Sequence, residues 1–257
     1  MPEAGAVFYS GHTAGEPFLA APIVLLHGAG GSRLDWALRQ MPSRSVIAVD
    51  LPGHGALIDQ PGRMTIADYA VAVVGLLDAL QLARAVFIGH SMGGAIALTL
   101  ALDYPDRVAG LVLIATGARL RVHPSMLNDI IHNPPAAARQ IADWSWSSHA
   151  PPEARQQMEK RLLAIPPQTL HDDFAACNAF DVSERVNAIQ TPTLILVGAE
   201  DQMTPVRYST FLAERIAVSQ LHVIPNAGHM VPLEQPVLVA SQITSWLITV
   251  SDVASGR

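Results

Sequence analysis

Two rhythms of apolar and polar positions alternate along this chain. Short continuous runs of β-branched and aliphatic residues recur at Ile23-Val24-Leu25-Leu26, Ser45 to Val49, Ala85-Val86-Phe87-Ile88, Val108 to Ala115 and Thr193-Leu194-Ile195-Leu196-Val197. Runs without alternation belong to strands buried on both faces. Between them lie helical spacings, clearest from Met64 to Leu80, where Ile66, Tyr69, Val73, Leu76, Leu77 and Leu80 share a face. Ala6 to Tyr9 adds a short edge strand, and Gln220 to Ile224 a further strand. Strands joined by helices build right-handed crossovers, so the pattern predicts an α/β fold, a doubly wound and mostly parallel sheet covered on both faces.

This alternation stops between Arg119 and Ala188. Prolines there (Pro124, Pro134, Pro135, Pro151, Pro152, Pro166, Pro167) separate short helical stretches, and no strand pattern is visible. The expected organisation is a core of residues 1–118 and 189–257, interrupted by a helical cap at 119–188 that roofs a pocket. Trp144, Trp146, Phe174 and Met126 in the cap, with Met230 beyond it, are the candidates for substrate contact. Such residues favour an apolar acyl or aromatic group over a sugar or phosphate, with Arg119 and Arg121 available to a carboxylate.

Chemistry concentrates where strands end. Gly89-His90-Ser91-Met92-Gly93 joins a strand to the helical run Gly94 to Leu102. A turn this tight pushes the Ser91 hydroxyl out over the sheet edge, and the N–H of Met92 at the new helix start faces any oxygen attacked there. His27-Gly28-Ala29-Gly30-Gly31-Ser32 follows another strand and brings a second backbone donor, Ala29 N–H, for a two-donor oxyanion hole. Neither G-x-x-x-x-G-K-[ST] nor G-x-G-x-x-G occurs in that loop, so a phosphate cradle is excluded. Serine needs a base, and the base needs an orienting acid. His229 and Asp201 each lie just past a strand, on the edge where loops of a parallel sheet converge. Glu200, Asp173 and Asp181 remain rivals for the acid. His27 and His54 read as residues bonded within their own turns, and His90 as one packed beside the nucleophile.

Taken in order, His27-Gly28-Ala29-Gly30-Gly31, Asp50-Leu51-Pro52-Gly53-His54-Gly55, Gly89 to Gly94, Gly198-Ala199-Glu200-Asp201 and Ala227-Gly228-His229 make the chain resemble the α/β-hydrolase superfamily over nearly its whole length. The resemblance implies Ser91 as nucleophile, His229 as base, Asp201 as its acid, and Ala29 with Met92 as oxyanion donors. It also implies a sheet one edge strand short of the usual eight, because a single strand precedes Pro22. Members that open epoxides or displace halide carry aspartate at the nucleophile position, so Ser91 points to acyl transfer. The expected activity is hydrolysis of small, fairly apolar esters or lactones. Carbon–carbon hydrolysis of meta-cleavage products, enol-lactone hydrolysis and cofactor-free haloperoxidase or perhydrolase chemistry share the same triad. A non-enzymatic small-ligand receptor is the alternative from a different class.

Composition narrows the partners. A formal charge of -6 without a basic cluster argues against nucleic acid and anionic membranes, leaving a small-molecule partner. Hydrophobic residues at 50% and charged residues at 15% are those of a packed chain. The single cysteine, Cys177, excludes an internal disulfide and any cysteine-based metal cluster, and it fits a reducing compartment. The cap histidines lack metal-ligand spacing, so no metal and no cofactor are expected. The first ten residues lack a basic start and a long apolar stretch, which makes cytoplasmic the expected location. An apolar cap surface leaves a homodimer open.

Overall fold

The computed structural model describes residues 6–10, 21–36, 45–60, 62 and 65–254. Seven strands form one sheet: β1 (Ala6–Ser10), β2 (Ile23–Leu26), β3 (Val46–Val49), β4 (Ala85–His90), β5 (Val108–Ile114), β6 (Thr193–Gly198) and β7 (Ser219–Ile224). Their spatial order is β1-β3-β2-β4-β5-β6-β7. The six strands from β3 to β7 run parallel, and β1 pairs antiparallel with β3 at the edge. One strand precedes Pro22 among the described residues, as the sequence pattern indicates.

The central strands read as unbroken apolar runs because successive side chains enter two different cores. Val24, Leu26, Ile47, Val49, Phe87, Leu111 and Leu113 join one cluster, while Ile23, Leu25, Val46, Ala48, Val86, Ile88 and Val112 join the other. Helices α1 (Ile66–Ala79) and α2 (Met92–Asp103) cover the first face. The long α9 (Pro236–Ala254) covers the second with Val239, Ile243, Trp246 and Leu247, a stripe at helical spacing. The Thr65 hydroxyl oxygen accepts the Asp68 N–H and caps α1; Met64, included in the sequence reading of that helix, lies outside the described residues.

Four helices fill the segment between β5 and β6: α3 (Pro124–His132), α4 (Pro134–Ser145), α5 (Pro152–Leu163) and α6 (Pro167–Ala179). Each begins with proline, which fixes the first helical φ and lacks only an N–H that would be unpaired there anyway. These prolines therefore start helices as well as separate them. Helices α3 to α6 have a small core of their own, including Met126, Ile130, Ile141, Leu162, Leu170 and Phe174. An isolated antiparallel bridge between Arg119 and Asp181, with the Val182 N–H donating to Ala118 O at 2.8 Å, ties the two ends of the insertion together. That extended pairing had no apolar signature in the sequence. After β6 come α7 (Val206–Ala213) and, after β7, the single-turn α8 (Val231–Glu234).

Candidate active site

Ser91 occupies the turn between β4 and α2 with φ 53° and ψ -115°, a conformation costly for any residue with a Cβ. The surroundings hold it there: Ser91 N–H donates to Ile114 O at 2.9 Å, and Ser91 O accepts the Thr116 hydroxyl at 2.8 Å and the N–H groups of Gly94 and Ala95. Gly93 lets α2 come this close to the sheet, since a Cβ there would stand 2.1 Å from Leu26 O. Met92 opens α2, so its N–H is among the donors with no partner inside the helix. It is wholly buried and lies outside the cavity lining described below.

The loop after β2 is organised by its own hydrogen bonds. Gly28 O accepts both His27 Nδ1–H at 2.8 Å and Gly31 N–H at 3.0 Å, and His27 Nε2 accepts Leu51 N–H at 3.1 Å. Those partners fix the His27 tautomer. Burial, with His54 beside it, lowers the His27 pKa to about 3 and keeps the ring neutral. Gly30 N–H is taken by Asp173 at 2.8 Å. No partner for Ala29 N–H occurs among the described residues.

Asp201 lies three residues beyond β6, and its carboxylate collects donors. Oδ1 accepts Met203 N–H at 2.9 Å and Thr204 N–H at 2.8 Å; Oδ2 accepts the Thr204 hydroxyl at 2.8 Å. His229 Nδ1 stands 3.0 Å from Oδ2. Burial by itself raises a carboxyl pKa, but His229 and the Thr204 donors outweigh it and hold Asp201 below its ordinary value. An ionised carboxylate only accepts, so the His229 proton is assigned to Nδ1, which leaves the Nε2 lone pair free to act as a base.

Ser91 and His229 line one cavity of about 190 Å³, with Gly28, Ala29 and His90 on the core side and Trp146, Met158, Leu162, Phe174, Met230 and Leu233 among its apolar walls. A sequence model described as the alpha/beta hydrolase family matches residues 23–242. The chain belongs to the alpha/beta hydrolase family. A curated member, the 2-hydroxymuconate semialdehyde hydrolase of Pseudomonas sp. (strain CF600), is 31% identical over 259 residues, spanning 92% of this chain and 89% of that protein. The solved structure of a thermophilic esterase from Thermogutta terrifontis matches with TM-score 0.80 at 28% identity, over 95% of this chain and 93% of that one. An N-acyl homoserine lactone degrading enzyme matches with TM-score 0.79 at 28% identity, over 94% and 96%.

In this alpha/beta hydrolase the sequence candidates are placed unevenly. Trp146, Phe174 and Met230 reach the cavity. Trp144 does not: it is 37% exposed on the outer side of α4. Met126 is buried in the core of the insertion with Ile130 and Ile141; of these three only Ile141 lines the cavity. Of the rival acids, Glu200 faces Ser148 and His149 at the surface, Asp181 sits at the neck of the insertion, and Asp173 contacts Gly30, His54 and Tyr69 rather than His229. His90 lines the cavity with its ring tilted against that of His229, centroids 4.8 Å apart, and its Nε2–H donates to His229 O at 2.9 Å. Burial and the neighbouring His229 lower its pKa to about 4. Cys177 also lines the cavity, where burial pushes its thiol well above the usual range, so it is inert. Sequence reasoning missed the polar groups at the rim: Gln157, and Arg161 of α5 paired with Asp35 of the loop after β2. Among the described residues no helix is long and apolar enough to cross a membrane, and no group of three metal-ligating side chains converges.

Proposed function

We propose that this protein hydrolyses carboxylic esters or lactones of small, apolar acyl groups through an acyl-enzyme on Ser91. The observation that carries the reading is the His229–Asp201 pair on the same small cavity as a strained, half-buried serine turn. His229 Nε2 takes the Ser91 proton as Oγ attacks the carbonyl carbon. The resulting oxyanion is stabilised by the N–H groups of Ala29 and Met92. Collapse expels the alkoxide, which receives the proton from His229, and a water deprotonated by the same nitrogen then releases the acid and restores Ser91. Helices α3 to α6 act as a lid that keeps bulk water from the acyl-enzyme.

The cavity volume lies below the roughly 300–1,000 Å³ typical of drug-sized ligands, which favours short acyl chains. Arg121 on its wall, held only at 3.6 Å from Asp181, favours one second reading, cleavage of a carbon–carbon bond in a substrate bearing a carboxylate; the Pseudomonas relative is a 2-hydroxymuconate semialdehyde hydrolase. The test is turnover of p-nitrophenyl esters from acetate to palmitate, of lactones and of a meta-cleavage product, by the natural chain and by Ser91→Ala. Short esters or lactones turned over by the first and slowed at least about a thousandfold in the second support the proposal. Turnover of the meta-cleavage product alone moves it to carbon–carbon hydrolysis, and ester turnover that survives Ser91→Ala refutes it.

A further inference from the structure

Asp173 belongs to α6, inside the insertion, yet its wholly buried carboxylate is spent on the core. Oδ2 accepts Gly30 N–H at 2.8 Å and His54 Nε2–H at 2.7 Å, and Oδ1 accepts the Tyr69 hydroxyl at 2.7 Å. Those partners come from the loop after β2, the turn after β3 and helix α1. His54 Nδ1 faces Pro52 O at 3.1 Å, so a protonated His54 donates from both ring nitrogens. Burial opposes that charge, but Asp173 more than offsets it and raises the His54 pKa. Apolar packing joins a helix to a core at lower desolvation cost than a buried ion pair does. What the carboxylate adds is direction, applied to one backbone amide.

That amide adjoins the proposed oxyanion donor. A trans peptide holds N–H and C=O antiparallel in one plane, so pinning Gly28 O with two donors points Ala29 N–H the opposite way. The next plane, from Ala29 to Gly30, is held by Asp173. Gly30 has φ 63° and is closed over by Leu170 of α6 and Leu162 of α5, which a Cβ would meet at 2.8 and 3.1 Å. We propose that Asp173 is a positioning residue through which the helical insertion holds the oxyanion loop in its working shape, so that the site is complete only while α6 is docked. The inference rests on the ester-hydrolysis reading.

The experiment compares Asp173→Ala, Asp173→Asn and Tyr69→Phe with the natural chain, reading kcat and KM for the best p-nitrophenyl ester together with hydrogen exchange of the Gly30 amide in 15N-glycine-labelled protein. In Asp173→Ala the Gly30 amide loses protection and kcat falls about 10- to 100-fold with KM within threefold, because an oxyanion contact is felt mainly in the transition state. Asp173→Asn keeps the shape and one acceptor oxygen toward Gly30, and it recovers most of the lost kcat and protection. Tyr69→Phe removes the bond to Oδ1 and leaves the Gly30 acceptor in place; it lowers thermal stability but leaves Gly30 protection and kcat within threefold. Any variant in which protection and kcat part company overturns the proposal, as does a Tyr69→Phe loss of kcat equal to that of Asp173→Ala. If the alanine variant does not fold, Asp173→Asn decides: Gly30 protection and kcat that fall together support the proposal, and either falling without the other overturns it. Ser91→Ala separates the two readings: ester turnover that survives it refutes the assigned site, whereas Ser91-dependent turnover with full kcat and an unprotected Gly30 amide in an Asp173 variant refutes this inference alone.

Discussion

Adding one methyl group at Gly93 tests how the two oxyanion donors are spaced. A Cβ at this position would stand 2.1 Å from Leu26 O, 2.6 Å from Leu26 C and 2.7 Å from His27 O. Ordinary carbon–oxygen contacts begin near about 3.3 Å, so the first turn of α2 and the end of β2 must separate by about 1 Å. All three obstacles are backbone atoms, and no rotamer change relieves them. The displaced turn carries Met92 N–H, while the strand end leads into the loop that carries Ala29 N–H. A misplacement of about 1 Å costs on the order of a hundredfold in rate, and the overpacking itself about 1–3 kcal/mol of stability. The assay is kcat for Ser91-dependent ester turnover alongside the urea midpoint of Gly93→Ala. Gly75→Ala is the control, because a Cβ in the middle of α1 meets nothing within 4 Å and removes a helix-interior glycine, gaining up to about 1 kcal/mol. A folded Gly93→Ala with natural kcat would refute the assignment of these amides as the oxyanion donors.

Two further outcomes are expected. His27 and His90 are neutral in the fold, with pKa lowered to about 3 and about 4 chiefly by burial, whereas the unfolded chain protonates both near 6.5. The unfolded state therefore binds more protons below pH 6.5, and stability falls by roughly 3 kcal/mol between pH 6.5 and 5; His54, raised by Asp173, works in the opposite sense, its contribution full below 6.5 and lost as pH rises through its folded value. Urea midpoints that do not move between pH 7 and 5 would contradict this. Thr204→Val keeps the side-chain shape but deletes the hydroxyl that donates to Asp201 Oδ2 at 2.8 Å, which should slow kcat roughly 2- to 12-fold, the rate equivalent of about 0.5–1.5 kcal/mol. A steady-state measurement on the best ester decides it, and an unchanged kcat would show that the backbone N–H groups of Met203 and Thr204 alone hold the carboxylate.

The sheet was legible because each central strand feeds two cores and so loses the alternation that a half-exposed strand keeps. Loop residues at strand ends were legible for a related reason: parallel strands deliver Ser91, Asp201 and His229 to one edge whatever lies between them. The lining of the cavity was not. Helical spacing shows that Met126 faces inward, but it does not tell the cavity wall from the layer behind it; Met126 lies in the core whose members Ile141, Leu162 and Phe174 reach the cavity. Trp144 and Trp146 separate because α4 ends at Ser145 and the chain turns extended at Trp146, a boundary that spacing alone leaves uncertain by a few residues. Asp173 was considered only as a rival to Asp201. Its contact with Gly30 spans 143 positions, and a pairing that distant leaves no local pattern to read.

Arg119 and Asp181, the two residues that close the neck of the insertion, face each other across a single bridge, so the segment between them begins and ends at one place. A segment anchored this way is a closed loop to the rest of the molecule, and lengthening or rebuilding it changes the closure entropy only slowly. Natural variation can therefore reshape the roof over the pocket while the strand-end chemistry beneath stays as it is. The exception is whatever replaces Asp173, which must still reach the loop after β2. A segment exchanged here keeps the proposed hold on the oxyanion loop only if it brings a carboxylate to the place of Asp173, within reach of Gly30 N–H.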